Sequence, residues 1–163
     1  MTFIIKSPSQ DDTIRTLGIE KTIENYIKDN WNVENIPVED VKFGQHGSRI
    51  LQGGKSITLR CYAYSSLPSR MDISGRRWNN RDAIQIDVYV LNNNRINNDV
   101  DTKAIKIMTF LKDLFIINQG NINKGIFQVD LLSADIQDDP FKENLTHVII
   151  RIAAIYIWDM VEV

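Results

Sequence analysis

Apolar residues recur along this chain with two periods: three to four residues in two segments, and two residues in several others. The first long-period run, Ile14, Leu17, Ile23, Tyr26 and Ile27, predicts a helix with one buried face. Asp12 or Thr13 starts it, since either side chain accepts a hydrogen bond from a free amide of the first turn. Asn30 ends it, and Pro37 bars further helix by removing an amide donor. The second run, Ala104, Ile107, Met108, Leu111, Leu114 and Phe115, predicts a helix capped by Asp99 or Asp101 and closed by Gln119-Gly120.

Strict alternation marks the strands. Ile57, Leu59, Cys61 and Ala63 fall on one face, with Thr58, Arg60, Tyr62 and Tyr64 on the other. From Ala83 to Leu91, Ile84, Ile86, Val88 and Val90 point inward, while Gln85, Asp87 and Tyr89 point outward. Val41 to Phe43 reads as a short strand, followed by a turn-rich connection bracketed by Gly44, Gly47, Gly53 and Gly54. Asn92-Asn93-Asn94 ends the second alternating strand, because asparagine tolerates turn geometry. Two more strands, Ile126 to Ala134 and His147 to Trp158, are joined by the acidic turn Asp138-Asp139-Pro140. Both faces of the last strand are largely apolar, which places it centrally in a sheet or at an interface. Residues 1–11 form an arm or an edge strand.

This order predicts one α+β domain over residues 1–163. Its sheet is mostly antiparallel, with four to five strands and two main helices packed on one face. A long hairpin loop, Ser65 to Asp82, joins two of the strands.

Composition narrows the function classes. Apolar residues make up 43% and charged residues 25%, ordinary values for a globular protein. The formal charge is −2, from 19 basic and 21 acidic side chains, whereas nucleic-acid binders usually carry a basic excess. Any such role would need a local basic patch. The one cysteine, Cys61, permits no internal disulfide and fits a reducing compartment. No signal peptide is readable, and the longest apolar run, Val148 to Trp158, is too short to span a bilayer. A soluble protein made in the cytoplasm is expected.

The chemistry-bearing residues do not assemble into a site. Gly54-Lys55-Ser56 resembles the end of a phosphate-binding loop, but Arg49 stands where that loop needs glycine, and the segment runs into a strand. His46 and His147 lack metal-ligand spacing. Cys61 lies on an apolar strand face, where cysteine behaves as a small hydrophobe. Asp135, Asp138, Asp139 and Glu143 offer ligands to a hard cation, or form a solvated turn. Asp40-Val41-Lys42 with Asp87 offers the carboxylates and lysine of a metal-dependent nuclease, although the triplet precedes the strand acid. Asn144-Leu145-Thr146 matches a glycosylation acceptor without a secretory signal. The expectation is assembly rather than catalysis, with no cofactor.

The loop Ser65 to Asp82 carries Arg70, Arg76, Arg77 and Arg81 with Met71, Ile73 and Trp78. A loop of this length is usually functional or disordered. Arginine beside tryptophan and methionine is the composition of a binding surface. Three readings stay open: a solvated loop, phosphate contact with nucleic acid, or docking on a neighbouring subunit. For docking, Asp135, Asp138 and Asp139 supply the opposite charge, and a basic patch meeting an acidic one head to tail closes into rings.

The layout resembles a known family. An N-terminal helix precedes a short strand and a long-loop hairpin whose second arm reads Ala83-Ile84-Gln85-Ile86-Asp87-Val88-Tyr89-Val90; a polar break, Asn92 to Asp99, leads to an amphipathic helix and a final long strand. Over residues 12–160 this is similar to the tail-terminator and related neck (head–tail joining) proteins of tailed bacterial and archaeal viruses. The resemblance implies a virion structural protein forming a homo-oligomeric, commonly hexameric ring between tail tube and head connector. Its partners would be itself, the tail-tube protein and head-connector or neck proteins, with viral DNA passing through the ring and no membrane. The family has no catalytic residues to carry over.

Overall fold

In a computed structural model of the chain, the structure describes residues 3–6, 13–44, 57–71, 77–91, 99–117, 126–138 and 145–162. The alternating segments lie side by side in one sheet, in the order β2 (Val41–Phe43), β3 (Ile57–Arg70), β4 (Arg77–Leu91), β6 (Leu145–Glu162) and β5 (Ile126–Asp138). β1 (Phe3–Lys6) pairs with the far end of β6, from Asp159 to Glu162, on the same edge that β5 occupies. All pairings are antiparallel except β2 with β3. The α+β class and the mostly antiparallel sheet therefore hold, with β1 as a sixth strand where an arm or edge strand was expected.

The inward positions of the alternating strands are the core. Ile57, Leu59 and Cys61 of β3 face Val90, Val88 and Ile86 of β4, which in turn face Thr146, Val148 and Ile150 of β6. All the apolar members of these rows are buried in one continuous cluster. Two helices cover this face. α1 (Thr13–Asp29) lies over β3, and α2 (Asp99–Ile117) lies over β5, β6 and β4. α2 buries Ala104, Ile107, Leu111, Leu114 and Phe115, the stripe its period predicts, while α1 buries Ile23, Tyr26 and Ile27. The side chains of Ile14 and Leu17 lie outside the described residues.

α1 is not continuous. Gly18 has φ 81° and ψ 162°, a backbone region open essentially only to glycine, so the helix breaks there and resumes at Ile19. After α1, the Trp31 ring packs edge-on against Phe43 of β2 and Phe110 of α2, tying both to the end of the first helix. Its indole N–H donates to the Ile36 carbonyl at 2.7 Å.

The central position expected for the last strand is observed. β6 runs between β4 on one side and β5 and β1 on the other. Ile149 and Ala153 are buried even though they face away from the helices.

One expectation needs correction. The segment Ser65 to Asp82 is not a long loop. β3 continues to Arg70 and β4 begins at Arg77, with pairing maintained through Arg70 opposite Trp78. Only residues 71–76 connect the strands, and 72–76 lie outside the described residues. The ladder persists here because β6 runs alongside β4 as far as Asp159 opposite Arg77, so each added β4 residue finds a backbone partner. Apolar alternation is missing because the inward positions are Asn80 and Asp82, both buried.

Candidate assembly surfaces

The extended hairpin carries the predicted basic residues. Arg70 and Trp78 are cross-strand partners, and the Arg70 guanidinium lies over the indole ring, 5.6 Å from its centroid. Stacking of this kind leaves the guanidinium edges free to donate. Arg81 is exposed opposite Leu67 on the other face of the hairpin. Arg77 pairs through its backbone with Asp159, but its side chain, like all of Arg76, lies outside the described residues.

The base of the hairpin is held by a cluster that no sequence motif announces. The Asp82 carboxylate is 4% exposed and accepts from the Tyr156 hydroxyl at 2.5 Å and from the Ser66 hydroxyl. β3, β4 and β6 are thereby joined through side chains at one level. A buried carboxylate is tolerated only when its lone pairs are satisfied, and here both oxygens have hydroxyl donors.

Of the acidic residues, Asp138 lies at the other end of the sheet and Asp135 is level with Asp87, nine residues of β4 from Trp78. Asp135 is exposed on β5 opposite Ile149, and Asp138 ends β5 opposite Thr146. The Asp138 side chain and all of Asp139 lie outside the described residues. Thr146 pairs with Val90, and Trp158 with Trp78, so twelve residues of β4 separate the two ends. At about 3.3 Å per residue that is about 40 Å. The structure therefore keeps the basic and acidic groups apart within one molecule.

The sheet face without helices holds a second polar group. Across one row stand Arg60, Asp87, Ile149 and Asp135, and in the next rows Tyr62, Gln85 and Arg151, and Tyr89 and His147. The His147 Nε2–H donates to Asp87 Oδ1 at 2.8 Å, Gln85 donates to the same oxygen at 2.9 Å, and Arg151 Nε donates to Gln85 at 3.1 Å. The His147 ring stacks on Tyr89 with centroids 4.2 Å apart, and the Arg60 guanidinium lies over Tyr62. Burial pushes the Asp87 carboxyl up, but the bonds from His147 and Gln85, with the charges of His147 and Arg60, outweigh it and hold the pKa below the ordinary carboxylate value. Partial burial and the Asp87 charge push the Tyr62 phenol up.

Other candidate chemistry is dispersed. Lys42 on β2 sits opposite Thr58, so β3 stands between it and Asp87, and Asp40 occupies the exposed turn Val38–Asp40 before β2. Among the described residues no group of three or more His, Cys, Asp or Glu side chains is placed to hold a metal ion. Burial pushes the Cys61 thiol well up, with the Glu24 carboxylate adding to it, the opposite of what a thiolate nucleophile needs. His46, Gly54-Lys55-Ser56, Glu143 and Asn144 lie outside the described residues.

Exposed large apolar side chains among the described residues fall into three groups. Tyr64, Leu67 and Met71 lie along the hairpin, Ile105, Ile116 and Ile117 on the outer side of α2, and Leu132 and Ile136 on β5. Ile105 and Ile117 border an open groove of about 540 Å³ that also takes in Val33 and Phe110. No helix among the described residues is long and apolar enough to cross a membrane. No protein-family model matches the chain, and comparison with curated proteins finds no match.

Proposed function

We propose that the chain is a virion structural protein, a tail terminator or related neck component. In this reading it assembles into a ring between tail tube and head connector and catalyses no reaction. The observation that carries the reading is the placement of the arginine hairpin and the Asp135–Asp138 segment well apart on one stiff sheet. Neither group can reach the other within a molecule, while a second copy presents the complement. Contacts between unlike surfaces are heterologous, and when the rotation closes they give rings.

The three exposed apolar groups support the same reading, since a protomer between two copies of itself, a tube below and a connector above needs several faces. Arg70 stacked on Trp78 has the composition of an interface centre, and Leu67 is exposed on the other face of the hairpin. The viral setting comes from the order of elements after β1: helix, short strand, long hairpin, helix and two long strands.

Light scattering over rising concentration should show a closed oligomer of fixed stoichiometry, and electron microscopy of particles should place it at the neck. A chain that stays monomeric up to millimolar concentration and is absent from particles refutes the proposal.

A second reading rests on the open face, where Lys42, Arg60 and Arg151 accompany Tyr62, Tyr89 and His147. Basic side chains among aromatic ones suit nucleic-acid contact. It requires binding to DNA or RNA that weakens steeply with salt, and no binding at low salt excludes it.

A further inference from the structure

The sheet has two edges without a strand neighbour among the described residues. β2 pairs with β3 only from Ile57 to Leu59, so the outer edge of β3 is open from Arg60 to Arg70. Every side chain from Tyr64 to Met71 is exposed. On the opposite side β5 is open from Ile126 to Asp138. Unpaired amides and carbonyls along such edges are a template for pairing with another chain.

The edges carry opposite charge. β3 contains Arg60 and Arg70 and no acidic residue, while β5 contains Asp130, Asp135 and Asp138 and no basic one. Pairing β3 with β3, or β5 with β5, about a two-fold axis would therefore set like charges together, which is destabilising across strands. Pairing β3 with β5 sets unlike charges together.

Strand direction agrees. β3 is antiparallel to β4, β4 to β6, and β6 to β5, so β3 and β5 run in opposite directions. A second copy placed with its open face on the same side thus presents β5 to β3 as an antiparallel neighbour. In the row Arg60, Asp87, Ile149 and Asp135, both terminal residues lie on the open face. Because β2 fills the levels of Ile57 to Leu59, the incoming β5 lies displaced toward the hairpin. A shift of two residues keeps the faces matched, leaves only the last β5 residue, Asp138, at a level that β2 fills, and sets Asp135 diagonal to Arg60.

We infer that the ring contact is edge-strand addition, in which β3 of one copy hydrogen-bonds along β5 of the next and the sheet runs on between copies. This rests on the ring reading above and moves its contact from the hairpin arginines to Arg60. Pro68 has no N–H to give, so the shared ladder lies upstream of it, from Arg60 to Leu67. Bulges between Ala63 and Ser65 in β3 and between Leu131 and Ser133 in β5 divide the shared ladder into short regular stretches.

The test is hydrogen–deuterium exchange on the full chain, dilute and assembled, with the mass of the assembly measured in parallel. Assembly should slow exchange at outward-facing amides between Arg60 and Leu67 and between Gln128 and Gln137 by at least about tenfold, while α2 is unchanged. Asp135→Arg should weaken assembly by setting like charges together, and Arg60→Gln added to it should relieve that loss. Assembly with no protection at either edge overturns edge pairing and leaves the ring reading standing. A two-copy species with only β3 protected overturns it as well. A protein that does not assemble even at millimolar concentration and is absent from particles overturns both.

Discussion

Tyr156→Phe tests whether the buried Asp82 cluster holds the hairpin on the sheet. The substitution removes one hydroxyl, keeps the ring and opens no cavity, so the effect is the loss of one donor to a carboxylate that is 4% exposed. Hydrogen bonds to charged groups contribute about 1.5–3 kcal/mol, and the buried oxygen cannot turn to water instead. We expect a loss of about 2 kcal/mol in urea unfolding. At this chain length that corresponds to a fall in Tm of about 4–8 °C. Asp82→Asn removes the other partner's charge, and the double variant should lose less than the two single losses added, by at least about 1 kcal/mol. Because Asp82 also accepts from Ser66, backbone amides on both hairpin strands near this level should exchange faster in Tyr156→Phe. A variant within about 0.5 kcal/mol of the parent, the range of a neutral surface change, refutes the reasoning.

Two further outcomes follow from single residues. The Asp87 carboxyl is held below its ordinary pKa when folded, so its stabilisation is present above the unfolded value near about 4 and is lost as pH falls through the lower folded value. Urea midpoints measured from neutral pH downward should therefore fall more steeply in the parent than in Asp87→Asn, and parallel curves would contradict this. Gly18→Ala meets no atom of the described residues within 4 Å, so its cost is backbone strain. Unfolding should show a loss of about 1–3 kcal/mol, and unchanged stability would mean that the break in α1 is not required.

Where burial followed a single period, the sequence was readable. α2 and the inward rows of β3 and β4 lie where their alternations place them, because each buried face is filled by residues a fixed step apart. The outer half of the hairpin was not readable. Its inward residues are polar, and what makes them tolerable is Tyr156, 74 residues from Asp82, together with Ser66, 16 residues away. The pairing of Asp87 with His147 spans 60 residues and likewise leaves no local trace. The charges on the hairpin and on β5 were visible as patches, but their separation on the sheet depends on strand order, which local patterns do not encode.

Strand order also decides what those charges can do. β4 and β6 stand between β3 and β5, so the two open edges are three strand spacings apart, about 14 Å, within a hydrogen-bonded sheet that cannot fold back on itself. Arg60 and Asp135 share a row and a face and still cannot meet within one molecule. Under the ring reading, that frustration is what gives the contact its direction. The basic edge accepts only an acidic edge, each copy has one of each, and a chain of such contacts has no natural end until it closes. Charge at the exposed Asp135 can then be altered with little effect on the monomer while assembly changes strongly, whereas Arg60 also faces Asp87 within its own molecule. Separation of these two effects is the behaviour to look for in Asp135→Arg, and a variant that loses stability and assembly together would mean that Asp135 serves the fold instead.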